Sequence, residues 1–139
     1  MNRVSKSKEF HKFCDNKGPT LTLIKINKNK IFGGFTTLDW KSEGGKIYDK
    51  SNSTFIFSLN LLKKYNMIDL NKEAIKCNEK YGPLFGNWDI GFEQDMKKGE
   101  SYANINCNFL SNNNLELTGG KGNSEKFETE ELDIYKVTF

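Results

Sequence analysis

Apolar residues in this chain recur in short alternating runs broken by Gly, Asn and Ser, and almost nowhere at the three-and-four spacing of a long helix. Thr20 to Ile26 alternates, with β-branched and Leu side chains. Asn27-Lys28-Asn29-Lys30 interrupts the run and Ile31 to Thr36 resumes it, which predicts a β-hairpin. Thr54-Phe55-Ile56-Phe57-Ser58-Leu59, bounded by Asp49 to Ser53 and by Asn60, predicts a central strand. Further strands are expected at Tyr65 to Ile68, Ala74 to Cys77, Trp88 to Phe92, Tyr102 to Cys107 and Leu132 to Phe139. A parallel, doubly wound sheet would need helices of about ten residues between its strands. Residues 82–91 and 108–126, rich in Gly and Asn, cannot supply them. The expected fold is therefore mainly β (α+β): two antiparallel sheets packed as a β-sandwich, with one or a few short peripheral helices.

The clearest helix signal is Ser5 to Phe13, where Phe10 and Phe13 stand one turn apart, Ser5 or Ser7 is placed to cap and residues 16–19 stop the run. Met1 to Val4 is expected to fray, and residues 108–124 to form a long mobile loop around a short strand. With neither an internal repeat nor a linker, residues 1–139 read as one domain. A domain of this size buries about two-thirds of the surface its unfolded chain exposes. Eleven Phe, five Tyr and two Trp supply the side chains for such a core.

Twenty-one Lys and Arg against eighteen Asp and Glu give a net charge of +3, spread along the chain apart from a basic start from Arg3 to Lys17. Lys6, Lys8, Lys12 and Lys17 alternate there with Glu9 and Asp15, which is not the clustered cationic face of a nucleic-acid binder. Three widely separated cysteines, Cys14, Cys77 and Cys107, fit neither a secreted disulfide framework nor paired zinc knuckles and suit a reducing compartment. No run of about 18 apolar residues spans a bilayer and no signal peptide is apparent, so a soluble, cytoplasmic protein is expected, with the nucleus also open to it. Asn52-Ser53-Thr54 then reads as an unused surface turn and not as a glycosylation site.

Chemistry-bearing motifs are sparse. His11 and Cys14 form an HxxC pair, but tetrahedral zinc needs about four ligands and the chain holds a single His. The same pair could form a thiolate–imidazolium dyad, although a buried cysteine packed beside Phe10 is the commoner arrangement. Gly119-Gly120-Lys121-Gly122-Asn123-Ser124 lacks the Ser or Thr and the following helix that a phosphate loop requires. Glu128, Glu130, Glu131 and Asp133 cluster around the last strand, with Glu131 and Asp133 on one face and Leu132 and Ile134 on the other, as a solvated acidic face would be. Tyr81-Gly82-Pro83-Leu84-Phe85-Gly86 is a tight turn, or a recognition loop built from Tyr81, Phe85 and Trp88. Neither a catalytic group, a cofactor nor a metal is assigned.

Four blocks in order resemble the TLDc domain family. They are Phe-His-x-x-Cys-Asp-Asn-Lys-Gly-Pro-Thr at Phe10 to Thr20; Ile-Phe-Gly-Gly-Phe-Thr with a later Trp at Ile31 to Trp40; Ala-Ile-x-Cys and Tyr-Gly-Pro-x-Phe-Gly at Ala74 to Gly86; and Glu-Leu-Asp-Ile-Tyr at Glu131 to Tyr135. Phe-x-Phe-Ser-Leu within Ser53 to Leu59 adds a fifth. Three departures stand out: Asn87, Trp88 and Asp89 replace a glycine run, Asp133 stands where the family has Glu, and little precedes the first helix. The last predicts a sandwich short of an edge strand, or a chain trimmed at its start.

The resemblance implies a two-sheet sandwich and a non-enzymatic interaction domain, linked to oxidative-stress resistance or to regulation of the vacuolar ATPase through its peripheral sector. On that reading Tyr81, Phe85, Trp88, Glu128, Glu131 and Asp133 form the candidate partner surface. A redox protein using Cys14, Cys77 or Cys107 is the rival class. A ligand or nucleic-acid binder using the basic N-terminus is the third.

Overall fold

The computed structural model describes residues 1–27, 29–96, 101–105, 107–110 and 114–139. After β1 (Asn2–Arg3), α1 (Ser7–Cys14) opens the chain, with Lys6 at its N-cap where the sequence predicts Ser5 or Ser7. Glu9 Oε1 accepts from Ser5 N, Ser5 Oγ and Lys6 N at 3.0, 2.9 and 3.2 Å, so a carboxylate in the first turn, not a cap hydroxyl, satisfies the start of the helix. Phe10, His11 and Cys14 are its buried side.

The hairpin is β2 (Thr20–Ile26) and β3 (Lys30–Thr36), followed by β4 (Gly45–Ile47), β5 (Phe55–Ser58) and β6 (Lys63–Asn66). Then come β7 (Ile75–Cys77), β8 (Leu84–Phe85), β9 (Ile90–Phe92) and β10 (Ser101–Asn104). Next are β11 (Asn114–Leu115), β12 (Gly120–Lys121), β13 (Ser124–Phe127) and β14 (Thr129–Lys136). They build two six-stranded sheets of order β1-β14-β2-β3-β5-β6 and β13-β10-β9-β8-β7-β4, in which every pairing is antiparallel, with β11-β12 as a small third sheet. The expected β-sandwich is what forms, with one short helix among the described residues.

Alternation decides which side of each strand goes in. Thr20, Thr22, Ile24 and Ile26 point from β2 into the core, and Leu132 and Ile134 join them from β14. The sheets meet through aromatic edges. Phe127 lies 5.4 Å from Phe32 and 5.9 Å from Phe92, both T-shaped, and Trp40 stands edge-on to Phe10 at 5.2 Å and to Phe85 at 5.5 Å. Trp40 Nε1 donates to Thr20 Oγ1 at 2.9 Å, so the indole polar tip is satisfied inside the core. Phe85 seats its ring directly on Gly34, where a Cβ would lie 2.4 to 2.7 Å from three ring carbons.

Both segments expected to be mobile contain paired or buried residues among those described. Asn2 and Arg3 pair with Ile134 and Asp133 across β1-β14 and Val4 is buried, so these residues form a sheet edge. In the segment read as a mobile loop, Phe109, Leu110, Leu115 and Leu117 all enter the core and β11 pairs with β12. Residues 111–113 of that segment lie outside the described residues.

Candidate functional site

The turn after β8 is shaped by two left-handed residues, Gly86 (φ 63°) and Trp88 (φ 71°). A tryptophan is strained there, so the surroundings must hold it. Asn104 Nδ2 donates to the Trp88 carbonyl at 2.6 Å, and the indole lies flat on Gly91, where a Cβ would meet Cε3 at 2.3 Å. Tyr81 flanks the indole on one side with ring centroids 5.0 Å apart, and Tyr102 on the other at 5.8 Å, both edge-on. All three rings are half-buried. They border two adjoining clefts of about 340 and 210 Å³, and Glu93 lines both.

Beneath this turn Asp89 is fully buried and gathers the following loop. Its carboxylate accepts from the amides of Asn108, Phe109 and Leu110 at 3.0, 2.8 and 3.2 Å. Burial pushes its pKa up to about 6 against these amides and that of Asn87, which act in the opposite direction. A second buried acid, Asp49, accepts from the hydroxyls and amides of Ser51, Ser53 and Thr54. Burial would raise it, but the Ser51, Thr54 and Ser53 hydroxyls prevail and hold it well below the usual carboxylate range. The Asn52-Ser53-Thr54 turn is thus knotted onto Asp49.

The sequence-derived partner residues do not assemble into one surface. Phe85 is completely buried and cannot touch a partner, because its ring fills the space over Gly34. Asp133 faces outward in register but is 6% exposed, covered by Arg3, whose Nε donates to Oδ1 at 2.7 Å and whose Nη2 donates to Oδ2 at 3.0 Å. Glu131 lies 3.4 Å from the same guanidinium and is half-buried, while Glu128 is exposed. Glu131 and Asp133 belong to the outer side of the β14 sheet, and Glu128 to the connection between β13 and β14. Tyr81 and Trp88 belong with Tyr102 on the outer side of the other sheet, across the sandwich. Tyr102 and Glu93 join this face with no motif to mark them, although Tyr102 alternating with buried Ser101 and Ala103 signals an outward aromatic.

Burial works against thiolate formation at all three cysteines. Burial pushes Cys14 up to about 12 and Cys107 up to about 11, and it also raises Cys77, whereas a nucleophilic cysteine needs a depressed pKa. His11 is turned to other work: Nδ1 lies 2.7 Å from Asp15 Oδ1, and Nε2 lies 2.8 Å from both the Asn78 and Tyr81 carbonyls, which ties α1 to the turn before β8. Asp15, braced also by Ser42 Oγ at 2.6 Å, borders a polar cleft of about 580 Å³ beside Cys77 and Glu79. Among the described residues no three or more His, Cys, Asp or Glu side chains gather to hold a metal ion. No helix among them is long and apolar enough to cross a membrane.

The described residues thus form an antiparallel two-sheet sandwich with a single short helix and an aromatic cluster on the outer side of one sheet. The model for the TLDc domain matches residues 5–138, so the chain belongs to the TLDc domain family. It is also 22% identical over 134 residues to the MTOR-associated protein MEAK7 of Danio rerio. That alignment takes in 89% of this chain and 28% of the relative, so the chain corresponds to little more than a quarter of that protein.

Proposed function

We propose that this domain is a non-enzymatic protein-interaction module of the TLDc type, acting in the cytoplasm in oxidative-stress resistance or in regulation of the vacuolar ATPase through its peripheral sector. The observation that carries the reading is the family match over nearly the whole chain, together with likeness to a protein whose name describes it as MTOR-associated. Half-exposed Tyr81 and Trp88 and the acids Glu128 and Glu131 are the residues offered to a partner. The redox alternative has no observation in its favour, since burial works against thiolate formation at Cys14, Cys77 and Cys107. The basic N-terminus is equally poor support for nucleic-acid binding, because Arg3 is committed to Asp133.

Affinity purification of tagged protein from its native cells, read by mass spectrometry, tests the reading. Wild type is compared with a Trp88→Asn variant and with a Glu128→Lys, Glu131→Lys variant. Recovery of peripheral-sector subunits that either variant loses supports the pump link. Their absence beside other reproducible protein partners refutes that link alone, and absence of any partner refutes the interaction module.

A further inference from the structure

We propose that the Tyr81, Trp88 and Tyr102 face binds a proline-rich segment in the polyproline II conformation carrying an arginine or lysine. The proposal rests on the interaction reading above and names the partner class for one surface. Its first support is the unused hydrogen-bonding capacity of the rings. Among the described residues the indole N–H and both phenol hydroxyls bond no protein group, and the only buried side-chain polar atom lacking a partner is Thr22 Oγ1, so these tips reach solvent. Proline lacks an N–H, so a proline-rich chain presents carbonyl acceptors with no internal donors to satisfy them. A row of aromatic donors is the complement of such a ligand.

Spacing is the second support. Polyproline II rises about 3.1 Å per residue, so alternate residues stand about 6 Å apart. The Tyr81, Trp88 and Tyr102 ring centroids stand 5.0 and 5.8 Å apart, edge-on, so alternate ligand residues meet successive rings at nearly that interval. The platform is also built in advance. Trp88 is pinned by its left-handed backbone, by the close floor at Gly91 and by the Asn104 bond, so little side-chain freedom remains to be lost on binding.

Charge supplies the cation. Glu93 lines both clefts and forms no ion pair among the described residues, which leaves a carboxylate between the aromatic grooves. Lys80 lines the Tyr81 cleft and Lys126 Nζ stands 6.0 Å from the Tyr102 ring centroid. Like-charge repulsion at those margins confines a ligand cation to the Glu93 position.

The test is a titration of the intact chain with a synthetic peptide of one arginine followed by nine prolines, against an arginine-bearing Gly-Ser peptide of equal length. Tryptophan emission reports on the site, because the other tryptophan, Trp40, is fully buried. Saturable binding of the proline peptide alone is expected below about 1 mM. Tyr102→Thr and Trp88→Asn are expected to weaken it about tenfold. Glu93→Gln is expected to weaken it about fivefold while leaving an arginine-free decaproline unaffected. Asn tolerates the left-handed conformation at 88, and the substitutions at Tyr102 and Glu93 keep the test valid should Trp88→Asn not fold. Equal binding of the Gly-Ser peptide, no saturation, unchanged affinity in the folded variants, or preference for a neutral oligosaccharide would each overturn the proposal. Native partners retained by Tyr102→Thr and Trp88→Asn refute the proline-rich ligand and leave the interaction module standing.

Discussion

Gly34→Ala is the sharpest probe of how the two sheets are joined. A Cβ at this position would lie 2.4, 2.6 and 2.7 Å from three carbons of the Phe85 ring. Ordinary carbon contacts need about 3.5 Å, so the ring must retreat by about 1 Å. It has nowhere to go, because Phe85 is fully buried and backed by Trp40 at 5.5 Å, which is itself packed on Phe10 at 5.2 Å. Overpacking of this kind costs about 3 kcal/mol, set against a gain of about 0.5 kcal/mol from removing a strand glycine. For a domain of this length that is a fall in Tm of about 8 °C, measurable by calorimetry. Phe85→Leu removes the ring carbons that clash. In that background the alanine should cost about 1 kcal/mol less than it does alone. A Gly34→Ala protein melting within about 2 °C of wild type would refute the reasoning. So would an undiminished cost of the alanine in the Phe85→Leu background.

The buried acids predict an unusual pH profile. Asp89, raised to about 6, holds its proton more tightly folded than unfolded, so its contribution is full below about pH 4 and lost as pH rises through about 6. The difference is about 3 kcal/mol. Asp49 has the opposite sign: its lowered pKa contributes stability above about pH 4 that disappears on further acidification. Urea unfolding should therefore give its highest midpoint near pH 4 to 5, on the order of a unit below the ordinary range, and Asp89→Asn should remove the decline towards pH 7. A profile rising steadily to neutrality in wild type contradicts this. Thiol titration with an aromatic disulfide at neutral pH should find Cys14 and Cys77 silent until unfolding, with Cys107, the least buried, reacting slowly. Rapid native reaction of Cys14 or Cys77 would revive the redox reading.

The strands that could be read directly were those whose alternation is local. Thr20 to Ile26 and Ile31 to Thr36 declared their existence, since β-branched and aromatic runs are written in consecutive residues, but not their inward faces: Thr20 and Thr22 are buried where Leu21 and Leu23 are only half-buried. What stayed hidden depends on distant partners. Asn2 and Arg3 carry no strand signal, yet β14 pairs with them across 130 residues of sequence, and the same Arg3 buries Asp133. Alternation placed Asp133 on the outward face but could not reveal its cover. Residues 108–124 are rich in Asn and Gly, and the start of the segment is held by Asp89 gathering the amides of Asn108, Phe109 and Leu110, a service one aspartate in a Gly-rich turn does not advertise. Phe85 failed as a contact residue for a similar reason: its destination is decided by a glycine fifty-one positions earlier.

The position of β14 between β1 and β2 has a consequence for how the protein is made. Of all the elements described it is the last to leave the ribosome, yet it occupies the second place in its sheet, not an outer one. Until it arrives, β2 stands as a bare edge with Leu21 to Ile26 unpaired along one side, and β1 has no neighbour at all. An unpaired apolar edge is a template for another chain. The emerging polypeptide thus passes through a period in which a second nascent copy could take the place reserved for its own C-terminal strand. Slow synthesis or a stall ahead of residue 129 lengthens that exposure, and pairing of β14 with β2 ends it.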